Sequence, residues 1–288
     1  MGSAPDVLTV SPVPSLGGAL RAAAYDFYDN SWRLVAANVI WGLGLILLYF
    51  ILLVLPIAAL ALLPLLAFPT LTMFQIAALV TREQSASFWD GVGAWRRLAI
   101  PTLVCGVGSV FVAVVLLTNL IGGLSSGDMI GWGFASFATW GLLLGSLWLL
   151  CFWPLLADPD RAGIRGREAA GLASYMVLAH PVRIGVLAVV IAVFLVVSTI
   201  VFVALVTLSL GFVAILTCRY ILPTADRLEA RLAERGVVFA SSAASMEAAR
   251  ARRELADADG AAPPVSSFGL RAGDELPEVP AGPASGDH

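Results

Sequence analysis

Two aspartates flank a proline at Asp158-Pro159-Asp160, the spacing in this chain that comes nearest to a paired-carboxylate metal site. They follow a long apolar run, where a polar turn is needed in any case, and the turn is the simpler reading. His180 precedes Pro181, and the other histidine, His288, is the last residue. An imidazole titrates near neutral pH and can sense pH or hold a ligand. A His-Pro step at an apolar boundary reads first as a helix break and an anchor. Cys105, Cys151 and Cys218 stand apart inside apolar runs and read as small packing residues, not as a disulfide or metal framework. The zinc-binding HExxH and the phosphate-cradling GxxxxGK patterns do not occur. The expectation is a chain with no catalytic residue, no cofactor and no metal.

The middle of each long apolar run also lacks Asp, Glu, Arg and Lys, the groups that mark proton relays and ion paths within a bilayer. Asn38, Gln75 and Asn119 are the informative polar residues there. A hydrogen bond between neighbouring helices is the first reading of each. The alternative is a polar lining for an uncharged solute such as a sugar. Gly141 and Gly145 form a GxxxG step, which permits close packing of helices or a dimer face.

The elements that carry these residues are set by composition. Of 288 residues, 59% are hydrophobic and 13% charged, about half the charge of a soluble domain. Every Lys/Arg position is arginine. Four stretches, 34–81, 98–127, 129–157 and 184–218, hold no charged residue. One helical crossing takes about 20 residues. The first stretch has room for two crossings, with Pro56 and Pro64 near its middle. The second and third take one each. The fourth fits two short crossings or one that is too long.

The arginines decide the count. They fall in 21–33, 82–97, 161–183 and 219–271, and the intervening turns have none. Arginine-rich loops stay in the cytoplasm. Six spans with both termini inside put every arginine on one side. The spacing therefore predicts an all-α transmembrane bundle with spans near 34–55, 59–81, 98–121, 131–157, 183–201 and 204–223. The last hairpin is the least regular. Residues 1–16 read as disordered, 226–258 as a charged cytoplasmic helix, and 259–288 as a tail rich in Pro, Gly, Ala and acid.

A theme recurs three times at the arginine-rich end. Tyr25-Asp26-Phe27-Tyr28 leads to Trp32-Arg33, Phe88-Trp89-Asp90 leads to Trp95-Arg96-Arg97, and Leu172, Tyr175 and Met176 lead to His180-Pro181-Val182-Arg183. Phe88, Val92 and Trp95, and likewise Leu172, Met176 and Ala179, fall at i, i+4 and i+7, one face of a helix. We read three copies of one unit, a short amphipathic helix followed by a transmembrane hairpin. Trp32, Arg33, Trp95, Arg97, His180 and Arg183 are the expected interfacial anchors or partner contacts. Glu168-Ala169-Ala170-Gly171 is partly similar to the loop by which ABC permeases grip their ATPase, but its glycine comes too early.

This set of features resembles the YesL-like family of bacterial membrane proteins over about residues 20–225. The shared parts are Tyr28…Trp32-Arg33-Leu34 with Asn38 and Trp41, Pro64…Pro69, Phe88-Trp89 before Arg97, and Ala179-His180-Pro181. The resemblance implies a domain, 17–225, in the bacterial inner membrane, with a role near carbohydrate uptake and no catalytic residues to carry over. The expected function is a non-enzymatic accessory of a carbohydrate ABC transporter. Its partners would be membrane lipid, permease or ATPase subunits, and further copies of itself, with no nucleic acid. The competing expectation is a small autonomous transporter of a neutral solute.

Overall fold

A computed structural model describes residues 15–161, 166–200 and 208–234. Every element among them is helical. They run α1 (Leu16–Asp29), α2 (Ser31–Val54), α3 (Pro56–Leu62), α4 (Ala67–Thr81), α5 (Phe88–Ser126), α6 (Met129–Ala157), α7 (Gly166–Ala179), α8 (Pro181–Ile200) and α9 (Leu210–Glu234). Short 3-10 turns occupy Leu63–Leu66 and Pro159–Arg161. Five segments are long and apolar enough to cross a membrane: Ser31–Val54, Pro56–Thr81, Phe88–Ser126, Met129–Ala157 and Pro181–Ile200. The chain has the architecture of a polytopic membrane helix bundle.

The expected sixth span, 204–223, begins outside the described residues, as does the turn of the last hairpin. Its described part is the first half of α9. The expected helix over 226–258 is seen as the continuation of α9 to Glu234. The rest of that helix, the tail 259–288 and residues 1–14 of the N-terminus lie outside the described residues.

Proline placement explains the irregular helices. Pro56 sits at the first position of α3, where its missing N–H costs nothing, so the second crossing starts there and not at 59. It tightens into a 3-10 turn around Pro64 before α4 continues. The amphipathic segment 88–97 and the third span are one helix, α5, bent at Leu98 (φ −112°, ψ 16°). Pro101 cannot bond the carbonyl of Arg97 and its ring crowds that carbonyl, which places the bend there. Ser87 and Asp90 start α5 with a reciprocal capping box.

The core lies among the second helices of the three hairpins. Leu71–Val80 of α4, Cys151–Ala157 of α6 and Val213–Leu222 of α9 are almost wholly buried, and the three helices pack against one another. Each leading amphipathic helix docks on one of them. The α5 N-terminal segment lies on α4, where Trp95 Nε1 donates to Thr72 Oγ1 (2.7 Å) and the Phe68 carbonyl (3.1 Å). On α6 lies α7, burying Leu172 and Met176, with Trp148 Nε1 donating to Ser174 Oγ (3.1 Å). On α9 lies α1, with Phe27 edge-on to Phe212 at 5.9 Å. The first unit's leading helix thus rests on the last unit's second helix, and the three units close on themselves.

Small residues set the close approaches, though not at the expected GxxxG step. A Cβ on Gly141 would touch only the Leu116 side chain (3.0 Å), and one on Gly145 would meet open space. On Gly123 it would run into the Gly131 carbonyl, and on Gly106 it would lie 2.8 Å from the Pro64 carbonyl. Those two backbone approaches fix α5 against α6 and against the start of α4.

Candidate functional site at the arginine-rich end

Each central helix ends in a charge. Arg82 follows α4, Asp158 follows α6, and α9 runs on past Pro223 to Asp226 and Glu229. Glu83 closes α4 in the left-handed region (φ 56°), and the turn returns the Gln84 amide to the Leu79 carbonyl at 3.0 Å. Packing three helices side by side brings their ends together, so these charges meet.

Arg82 bridges the other two helices. Its Nη2 and Nε donate to Asp158 at 2.6 and 3.1 Å, and its Nη1 donates to Asp226 Oδ2 at 2.8 Å. Asp160 lies 3.3 Å from its Nε, and Gln84 donates to Asp160 at 3.2 Å. Arg161, in the turn after α6, donates to Asp158, to Asp226 Oδ1 (2.6 Å) and to both carboxylate oxygens of Glu229 (3.3 Å each). Asp158 has no exposed side-chain surface and Arg161 is 3% exposed. Two guanidiniums thus bind four carboxylates across all three hairpins.

Burial and pairing compete in each group. Burial works against the charge on Arg82, but the hydrogen bonds and charges of Asp226 and Asp158 outweigh it and raise its pKa. Arg161 is raised in the same way, by Asp158, Asp226 and Glu229 against burial. Burial pushes Asp226 up, and the two arginines overcome it, so its carboxyl sits below the ordinary 3.8. Glu229 goes the other way. Burial dominates, Arg161 offsets only part of it, and the pKa rises above 4.5. A second pair ties α1 to α9, where Arg219 Nη2 donates to Asp26 Oδ1 at 2.9 Å.

The structure spreads the sequence-selected residues over different environments. Trp32 is exposed, with Arg33 stacked over it at 5.5 Å and donating to Asn30 Oδ1 at 2.8 Å. Trp95 is turned inward onto α4. Arg97 and Arg183 are exposed, and Arg97 reaches Gln75 Oε1 at 3.5 Å. His180 is half-buried between α7 and α8. Its pKa is lowered, by burial first and then by Arg183 and Arg231. The Glu168–Gly171 segment packs into the bundle, with Ala169 fully buried and the Ala170 carbonyl accepting from Trp148.

Asn38, Gln75 and Asn119 are not brought onto one path. Asn38 and Gln75 are buried between helices at 0 and 3% exposure. Asn119 is exposed and bonds the Val115 carbonyl of its own helix at 2.8 Å. It lies about 33 Å along α5 from Arg97, the neighbour of Gln75.

Sequence reasoning missed the ion network, because the partners of Arg82 are 76 and 144 residues away. One signal was present. Arg82 and Asp158 are each the first charge after a span, at matching positions in two units, and they are opposite in sign. Comparison with protein-family models, with curated proteins and with solved structures finds no match to this chain.

Proposed function

We propose that the chain is a non-enzymatic membrane accessory protein that assists or regulates a carbohydrate ABC transporter from the arginine-rich face. One observation carries this reading. Each leading helix spends one face on the bundle and turns large apolar residues outward, Tyr28 (81% exposed), Trp89 (74%) and Leu178 (79%). Three such residues ringing one end of a bundle are a surface for lipid headgroups and for the loops of a neighbouring membrane protein. The resemblance to the YesL-like family supplies the link to carbohydrate uptake. Arginine on this face argues that it is cytoplasmic, in the bacterial inner membrane, with both termini inside.

The test is purification of the tagged full chain from its host in mild detergent, followed by identification of what accompanies it. Permease or ATPase subunits should come along with the native chain. Trp89→Ala should lower their recovery while leaving the amount of inserted protein unchanged. Trp95, which is tied to Thr72, is the wrong residue for this test because its loss would disturb the bundle itself. Recovery of the chain alone as a defined oligomer would sink the accessory reading.

A further inference from the structure

At the end opposite the arginines, α5 and α6 enclose a groove of about 300 Å³. Thr118, Asn119, Ser126 and Asp128 form its polar side, and Ile130 and Phe134 its apolar side. Its depth can be measured along the helices. Thr118 lies about 32 Å along α5 from Arg97, and Phe134 about 36 Å along α6 from Asp158. The hydrocarbon layer is about 30 Å thick. On both helices the groove therefore opens one hydrocarbon thickness from the arginine-rich end, at the level of the opposite headgroups.

Its chemistry is one-sided. Among the described residues, Asp128 is the sole charge at this end. The Gly131 amide (2.6 Å) and the Ser126 hydroxyl (3.0 Å) both donate to Asp128 Oδ1, which leaves Oδ2 to a ligand. Thr118 and Asn119 bond the Val114 and Val115 carbonyls of their own helix. The second N–H of the Asn119 amide and the lone pairs of the Thr118 hydroxyl remain. Ile130 (72% exposed) and Phe134 (57%) continue the groove as a wall toward the bilayer.

We propose that this groove seats the headgroup of an amine-bearing phospholipid, with its ammonium on Asp128, its phosphate beside Asn119 and an acyl chain along Ile130 and Phe134. An anionic headgroup would face a carboxylate with no basic side chain to offset it. A choline headgroup has no N–H to donate. A primary ammonium has three donors and the complementary charge.

The full chain would be placed in vesicles of phosphatidylethanolamine, phosphatidylglycerol and phosphatidylcholine in equal parts. It would then be extracted in mild detergent and its retained lipid counted by native mass spectrometry. The native chain should keep phosphatidylethanolamine over the other two by about tenfold, the effect of one charge-assisted hydrogen bond. Asp128→Asn, which preserves the helix cap, should erase that preference. Asn119→Leu, at an exposed position, should weaken retention. Equal retention of the three lipids, or a preference that survives Asp128→Asn, would overturn the proposal. Displacement of the lipid by soluble phosphoethanolamine would reassign the groove to a free amine and would also overturn it.

Discussion

Arg161 donates to three carboxylates while almost wholly removed from solvent, and Asp158 depends on it and on Arg82 for every neutralising contact named above. Removing one partner leaves a buried charge uncompensated, which costs about 3–5 kcal/mol. Arg161→Met should therefore lower the unfolding midpoint in detergent sharply. The double variant Arg161→Met with Glu229→Gln should recover much of that loss, since the buried carboxylate paired with Arg161 is then gone while Asp158 and Asp226 keep Arg82. Trp95→Phe removes one indole hydrogen bond and keeps the ring, so a loss of about 1 kcal/mol is expected.

The pH response of the network has two opposed parts. Asp226 is held below 3.8, so its contribution is present above that pH and is lost as pH falls through its folded value. Glu229 is raised above 4.5, so its contribution is complete below 4.5 and is lost as pH rises through its folded value. His180, lowered from 6.5, contributes above 6.5 and loses that contribution as pH falls through its folded value. The clean readout is thus a difference. Acidification from neutrality to pH 4.5 should favour the native chain relative to Glu229→Gln, as followed by thermal unfolding of both across that range. A constant gap between the two would mean that Glu229 is not raised.

Helix boundaries were legible from the sequence to the extent that prolines and charges mark them. Pro181 and the arginines marked the start of the fifth span, whereas the capping box of Ser87 and Asp90 that starts α5 emerged only in the structure. The bend at Leu98 joins two segments that periodicity alone separates, because Pro101, three residues past the bend and deep inside α5, bends the helix without ending it. Contacts between helices were not legible. GxxxG identifies a smooth strip, but which strip meets a neighbour depends on how the helices are rotated. Gly123→Ala should force α5 from α6 and lower the unfolding midpoint, because the obstacle is backbone. Gly145→Ala should be neutral or stabilise the chain by up to about 1 kcal/mol through helix propensity alone. Thermal unfolding of the two variants side by side distinguishes a packed glycine from an idle one.

Three repeats of a leading helix and a hairpin could be read from aromatic and arginine spacing. That each leading helix docks on a central helix, and that the first docks on the last, could not, since both facts rest on contacts distant in sequence. The same distance hid the network and its role in joining three hairpins at one end. The closing contact can be tested by exchange. Asp26→Arg alone should destabilise the chain by about 1.5–3 kcal/mol, the worth of hydrogen bonds to a charged group. Adding Arg219→Asp should restore a good part of that loss, and no recovery would mean that the pair does not hold α1 to α9.

That closure also imposes an order on biosynthesis. Asp26 and Arg219 are 193 residues apart, which at about 5–20 residues per second is roughly 10–40 seconds of translation. For that interval the first helix made has no docking surface, because the helix that will cover it has not left the ribosome. A chain stopped before α9 would leave Asp26 without Arg219, and Arg82 and Arg161 without Asp226 and Glu229. Incomplete copies would then carry a common mark by which membrane proteases could tell them from finished ones.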